Sequence, residues 1–338
     1  LASAQTSNMQ LVQGEHVLLY SLPTTALKVV VEYEKTEQKP GIFFQYSERY
    51  LATKQFIAEE KSTFKLLSVK VLPVPMADAN RTFSVRPAAN SLLNYINVNN
   101  QGIIQGVNLG AMPSRVKTHA ENNKQNVAKA SANVLPLTEE YMMAGSMAKM
   151  AEGAAKQIYR IRESRLALLT GDLEHMPADG KSFDTMLQKM NELEQQLTEL
   201  FVGSVKTEVQ TQEIQLLPQT AMDNNLLFRF SAFKGIVAAN DLSGSPIFIS
   251  VQPTVVETAP ANPKSKSEPV GLYTVLPAKT NISINDGVNT FFNAAFDMPQ
   301  FGQLVSLPQS MFAIPKDKTE IVVLVDEKTG RLLSVSKK

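Results

Sequence analysis

One stretch constrains this chain more than any other: TEEYMMAGSMAKMAEGAAKQIYRIRESRLALLTGDLEHMPADGKSFDTMLQKMNELEQQLTELFVG, Thr138 to Gly203. Met143, Met147, Met150, Ala154, Ile158, Ile161 and Leu168 recur at steps of three and four, with Arg165 filling one step. That is the period of a helix face, not of a strand. Thr138 is placed to cap this helix, Glu139 and Glu140 suit its positive end, and Gly171 suits its end. A helix of that length is a rod of roughly 50 Å. Gly145 and Gly153 inside it cost about 1 kcal/mol each against alanine. With the neighbouring alanines they leave a small-residue surface for close approach by another element.

A second helix follows. Phe183, Met190 and Leu197 fall seven apart, and Met186, Leu193 and Leu200 fill the other seam position. Ser182 can cap it and Gly203 can end it. Pro177 and Ala178-Asp179-Gly180 break the period between the two, and so short a connection makes the helices antiparallel neighbours. Core packing then places Met190, Leu193 and Leu197 against Ile158 and Ile161. The Met-rich seam has a second reading, an adaptable groove for a partner. Arg165 interrupts the first seam, and a bare guanidinium is too costly to bury. Counting back from the connection sets it opposite Gln188, within a turn of Asp184 and Glu192. Its head is expected on a carboxylate of the second helix or connection, or on backbone carbonyls there. The other readings are an arginine free at the edge of the seam, or an anion site shared with Arg160 and Arg162.

The flanks read as β. Before the helices, 16–22, 27–34, 63–74 and 81–86 have strand character, and 92–98 and 103–108 form a hairpin around Asn99-Asn100-Gln101-Gly102. Ile42 to Leu51 has helical spacing in Phe43, Tyr46 and Tyr50. After the helices, strands are expected at 205–216, 226–232, 236–239, 247–252, 271–276, 280–284, 291–296 and 303–307. A last hairpin, 320–325 with 331–335, turns at Lys328-Thr329-Gly330. Residues 109–134 are polar and poor in aromatics, which suits a loop, and Thr258 to Pro269 is a Pro-, Lys- and Ser-rich surface loop. One internal echo stands out. Leu19-Tyr20-Ser21-Leu22-Pro23 resembles Leu272-Tyr273-Thr274-Val275-Leu276-Pro277, each preceding an alternating strand. It suggests two related β units.

The expected fold is therefore α+β: two β-rich, sandwich-like parts separated by a long antiparallel helical hairpin. The division runs 1–8, 9–135, 136–203 and 204–338. The two β parts are either separate domains or one sheet system into which the hairpin is inserted.

With 338 residues and a net charge of +1, the chain has length for a sizeable core and no charge bias toward nucleic acid. No apolar run is long enough for a membrane span. Ala2-Ser3-Ala4 has the small-x-small form of a signal-peptidase site, with Gln5 as the expected mature terminus. Cysteine is absent, which removes disulfides, thiolate metal sites, a cysteine nucleophile and the acylated cysteine of a lipoprotein. Periplasmic export without a lipid anchor is the expectation.

Three blocks carry a resemblance. LYSLPTTALKVVVEYEKTEQKPGIFFQYSERYL, then QIYRIRESRLALLTGDLEHMPADG with NELEQQLTELFVG, then LLFRFSAFKGIVAANDLSGSPI with PQFGQLVSLP, are similar to a family of uncharacterised exported proteins of Gram-negative gut anaerobes with a domain of unknown function. The resemblance spans roughly residues 15 to 335. It implies export and brings no activity, cofactor or catalytic residue.

Motifs for chemistry are sparse. His16, His119 and His175 are far apart, with no HExxH, so a zinc hydrolase is not indicated. Neither GxSxG nor GxGxxG occurs. Gly180-Lys181-Ser182 opens a helix as a P-loop does, but the pattern needs glycine where His175 stands and a strand where a helix precedes. Asp172, Glu174 and Asp179 crowd the helix connection, where capping and solvation explain them as well as a cation or an acid–base pair. With His175 and Arg165 they make the one polar cluster the sequence offers as a site. Asn285-Asp286-Gly287 and Asp241-Leu242-Ser243-Gly244 read as turns. No cofactor is expected. The function expected is non-catalytic surface binding or assembly in the cell envelope, with a protein partner or a second copy. The alternatives are an exported hydrolase with a site assembled from distant residues, and a glycan- or peptide-binding module.

Overall fold

The computed structural model describes residues 9–12, 15–85, 93, 95–109, 137–143, 145–171, 180–254, 270–312 and 321–337. The segment 1–8, the polar segment 109–134 apart from Leu109, and the loop Thr258–Pro269 lie outside them.

The protein is α+β and mostly β. The chain opens with strands β1 (Met9–Val12) and β2 (Glu15–Lys39), a 3₁₀ turn at Phe44–Tyr46, helix α1 (Ser47–Leu51), and strands β3 (Lys61–Val85), β4 (Ile96–Val98) and β5 (Ile104–Val107). Helices α2 (Glu139–Met142), α3 (Met147–Thr170) and α4 (Gly180–Val202) follow. Then come β6 (Ser204–Leu216), β7 (Met222–Ser231), β8 (Gly235–Val237), β9 (Ser245–Pro253), β10 (Val270–Asn285) and β11 (Thr290–Pro308). A 3₁₀ turn at Gln309–Phe312 leads to β12 (Ile321–Val325) and β13 (Leu332–Lys337). One sheet is β1-β2-β3 with β6 also on β2, a second is β11-β10-β9-β7-β8, and a third is β13-β12-β5-β4. Strands from before and after the helices thus share sheets twice: β6 with β2, and β12 with β5.

Four pairs of expected strands are in fact single strands. Residues 16–22 and 27–34 both belong to β2, and 63–74 and 81–86 to β3, apart from Arg86, which lies outside the described residues. Likewise 271–276 with 280–284 make β10, and 291–296 with 303–307 make β11. The breaks in the pattern are bulges. Ser21 faces Thr82 and Pro23 faces Ala77, so Leu22 stands against Asp78, Ala79, Asn80 and Arg81. Leu276 faces Gln303 and Ala278 faces Met298, so Pro277 stands against Pro299, Gln300, Phe301 and Gly302. A bulge bends the strand without ending its ladder. Pro73 and Pro75 are tolerated in β3 because, among the described residues, it pairs only with β2, leaving one edge where no N–H is required.

The echoed segments therefore occupy matching places. Each central strand, β2 or β10, carries a one-against-four bulge to the following strand, and has an antiparallel neighbour, β6 or β9, on its other side. The bulges clasp each other. Arg81 donates from Nε to Asp78 Oδ2 at 2.6 Å, and from its two terminal nitrogens to the carbonyls of Pro299 at 2.8 Å and Pro23 at 3.1 Å. Gln300 returns the contact: its Oε1 accepts from Thr25 N at 3.0 Å, and its Nε2 donates to Thr25 O at 2.8 Å.

Two cores lie on either side of this level. Leu27, Val29, Val31, Val69 and Val71 face Phe228, Ile249, Val251, Ile282 and Ile284 in a sandwich of the first and second sheets. Leu18, Tyr20 and Leu22 join Leu272, Val275, Ile104, Val107 and Val323 in the other core. β2 thus contributes an alternating row to both, and β3, β10 and β11 also give buried residues to each.

The helices form a third cluster with the segment that follows β2. The single first helix expected from Thr138 is broken: α2 stops at Met142, and α3 starts afresh after Ser146, whose Oγ accepts from Lys149 N at 3.3 Å. α2 folds back so that the Tyr141 ring lies on Gly153, where a Cβ would collide with it. Ala151, Ala154, Ala155 and Ile158 of α3 pack with Leu197 and Phe201 of α4 and with Phe43, which follows β2. Leu193 departs from the expected core packing. It is 40% exposed, while Leu197 is fully buried, and Met190 and Ile161 are half-buried. The seven-residue period of α4 carries two apolar seams, and α3 covers only the one through Leu197.

Candidate functional site

Of the polar cluster singled out in the sequence, only Arg165 lies within the described residues; Asp172, Glu174, His175 and Asp179 lie outside them. Arg165 donates from NH1 to Glu194 Oε2 at 2.6 Å and to Asn191 Oδ1 at 2.7 Å. Its side chain is 30% exposed and that of Glu194 14%. The acceptor is a carboxylate of α4, as a guanidinium on a seam requires, but it is Glu194, not Asp184 or Glu192. The count from the connection placed α4 about one turn off. Arg162 donates from Nε to the other oxygen, Glu194 Oε1, at 2.6 Å. One carboxylate therefore holds two arginines a helical turn apart. Arg162–Glu194 and Arg165–Asn191 show that α3 and α4 run in opposite senses where they touch.

The rest of the pair's surface follows from its two seams. Met186 and Leu193 on α4 are 44% and 40% exposed, and Leu166 and Leu169 on α3 are exposed as well. Between Met186 and Leu193, Lys189 donates to Glu192 at 2.6 Å, and this bond and that from Gln188 hold the Glu192 carboxyl below its ordinary range. On α3, Lys156 does the same for Glu152, and its own ammonium is raised by that carboxylate. A depression of about 320 Å³ beside the arginine clasp is lined by Arg162, Arg165, Asn191, Glu194, Gln195, Thr198, Glu199 and Val202. It is open, and polar heads stand over lining surface that is mostly apolar.

α1 abuts α3 on the same side. The Arg49 guanidinium lies over the Tyr50 ring at 5.3 Å, and that of Arg162 over Tyr159 at 5.7 Å. Tyr159 donates its hydroxyl to Tyr50 O at 2.7 Å, and Tyr50 donates its own to Ala148 O at 3.4 Å. These contacts were not legible in the sequence, because 109 residues separate Tyr50 from Tyr159. The helical spacing of Tyr46 and Tyr50 was the one signal available.

Elsewhere, Asp241 and Asp286 do what turn residues do. Asp241 accepts from Ser243 N and from Lys234 Nζ, and with the Ser243 contacts leading, its carboxyl is pulled down to about 2. Asp286 accepts from Val288 N and Asn289 N. Among the described residues no three His, Cys, Asp or Glu side chains are grouped to hold a metal ion. No helix among them is long and apolar enough to cross a membrane.

No curated protein and no solved structure matches the chain. Residues 17–333 do match a family, the one described as a domain of unknown function (DUF4831), and the chain belongs to it.

Proposed function

We propose that this chain is a non-catalytic protein of the cell envelope that assembles with a second copy of itself through α4. In this reading α3 and α4 form one antiparallel hairpin inserted into a continuous β system. The observation that carries the reading is the exposure of Leu193 and Met186, which belong to a seven-residue seam left uncovered by α3. Seams of that period pack against their like, knob into hole. Burying such a seam removes apolar surface from water at roughly 25 cal/mol per Å². The half-buried Leu200 extends the series toward the cluster around Phe201. Sedimentation velocity tests the reading. The wild type should form dimers, and Met186→Glu with Leu193→Glu should leave monomers with unchanged circular dichroism. A wild type that stays monomeric at high concentration would overturn it.

Export is the second part of the reading, supported by Ala2-Ser3-Ala4. The precursor in its native host should be cut after Ala4 and the product recovered from the periplasm. Recovery from the cytosol, or a mature terminus well upstream of Ala4, would defeat it.

A further inference from the structure

Arg49, Tyr50, Tyr159, Arg162 and Arg165 form one unbroken surface stripe across α1 and α3. Each step is a contact: Arg49 on Tyr50, Tyr50 to Tyr159, Tyr159 under Arg162, and Arg162 with Arg165 through Glu194. We infer that this stripe is a docking surface for an acidic polypeptide segment. Three features carry it.

The first is charge. The neighbouring acids Glu48 and Glu152 are matched by Lys54 at 3.3 Å and Lys156 at 2.7 Å. Among the described residues Glu194 is the carboxylate bonded to the stripe, against three guanidiniums, and Glu199 lines the depression beside the arginine clasp. One positive charge is left in excess.

The second is preorganisation. Arg162 uses Nε on Glu194 and Arg165 uses NH1 on Glu194 and Asn191, so other N–H groups of both remain for a ligand. Cation–π contact with Tyr50 and Tyr159 holds the guanidiniums of Arg49 and Arg162 over the rings before anything binds. A planar guanidinium held in place by its ring suits bidentate capture of a carboxylate.

The third is what the tyrosines cannot do. Both hydroxyls are spent on backbone carbonyls, and each ring already carries a guanidinium on one face. A sugar ring would find no matched pair of free face and free hydroxyl. Arginine and tyrosine are the residues enriched where proteins grip one another.

The inference does not rest on self-assembly through α4. Residues 193 and 194 project about 100° apart on an α-helix, so the apolar seam and the arginine clasp can be altered separately. The test is fluorescence anisotropy with a labelled oligoglutamate peptide in low-salt buffer. The wild type should bind it, and Arg49→Gln and Arg162→Gln should each weaken binding by about fivefold, the weight of one exposed charge pair. Lys206→Gln, an exposed charge on β6, should leave binding unchanged, and so should the charge-neutral Met186→Ser, Leu193→Ser pair. Absence of binding by the wild type would overturn the inference, as would equal losses in the arginine and Lys206 variants. Binding of polygalacturonate without binding of the peptide would assign the stripe to an acidic glycan and overturn it too.

Discussion

The Tyr20 hydroxyl accepts a hydrogen bond from Tyr273 N at 2.7 Å and donates one to Tyr273 O at 3.3 Å. The two tyrosines belong to the two echoed segments, so the echo closes on itself inside one core. Tyr20 is 2% exposed. Tyr20→Phe would leave both backbone groups of Tyr273 without this partner and should cost about 1–3 kcal/mol in urea unfolding. Burial also pushes the Tyr20 hydroxyl well above its usual range. A raised folded-state pKa gives stability that is complete below the unfolded value of about 10 and is lost as pH rises past it. The wild type should therefore lose stability between about pH 9 and 11 more steeply than Tyr20→Phe. Parallel slopes for the two proteins would mean that Tyr20 titrates freely.

Arg81 is the second test of the paired bulges. Its guanidinium serves one carboxylate and two carbonyls from three chain segments, and the side chains of Arg81 and Asp78 are 15% and 12% exposed. Arg81→Met should cost about 2–3 kcal/mol, because it strands the Asp78 carboxylate and two carbonyls together. Arg81→Lys should recover only a minor part, since an ammonium cannot span the same fork. Full recovery by lysine would show that charge alone, not the geometry of the bulges, is what matters.

In β structure, proline and glycine mark a bend as readily as an end. Pro23, Pro277 and the Pro299–Gly302 run each looked like the end of a strand, because proline lacks the ladder N–H and glycine weakens strand pairing. In the fold each sits at a bulge, where the ladder skips residues and then resumes in step. Local pattern cannot distinguish a strand that ends from one that bends, since the distinction is made by a partner strand far along the chain. The helices were legible because their period is local, and the break at Gly145-Ser146 was missed because the apolar series runs through it. For the candidate site, Arg165 announced itself by interrupting a seam. Arg49 and Tyr159 interrupt nothing, and they meet only because the end of β2 delivers α1 to the side of α3.

The two seams of α4 make opposite predictions for two leucines four residues apart. Leu197 is fully buried against Ile158 and Phe43, so Leu197→Ala should cost about 2–5 kcal/mol. Leu193 is 40% exposed in the single chain, so Leu193→Ala should cost less than about 0.5 kcal/mol when measured on dilute protein. If α4 mediates dimerisation, that cost should rise with protein concentration, because the seam is then buried in the dimer alone. Equal costs for both leucines at high dilution would mean that something within the chain covers Leu193.

The shared carboxylate of Glu194 predicts non-additive arginine substitutions. With both arginines present, each oxygen of Glu194 has its own cation, at 2.6 Å in each case. Removing Arg165 leaves Glu194 still paired to Arg162, so Arg165→Ala should cost only about 1 kcal/mol. Arg165→Lys should regain part of this, since lysine restores the charge but not the second contact to Asn191. Removing both arginines leaves a carboxylate that is 14% exposed with neither cation, and should cost more than the two single changes together. Glu194→Ala removes the shared acceptor and sets two guanidiniums beside each other, so it should cost more than either single arginine change. Urea unfolding of the five variants at low and at high salt measures all of these terms. The pairing should weaken with salt, and the Glu194→Ala penalty should shrink as well, because screening relieves the repulsion between Arg162 and Arg165. Strict additivity of the two arginine changes would mean that each guanidinium acts alone and that Glu194 does not couple them.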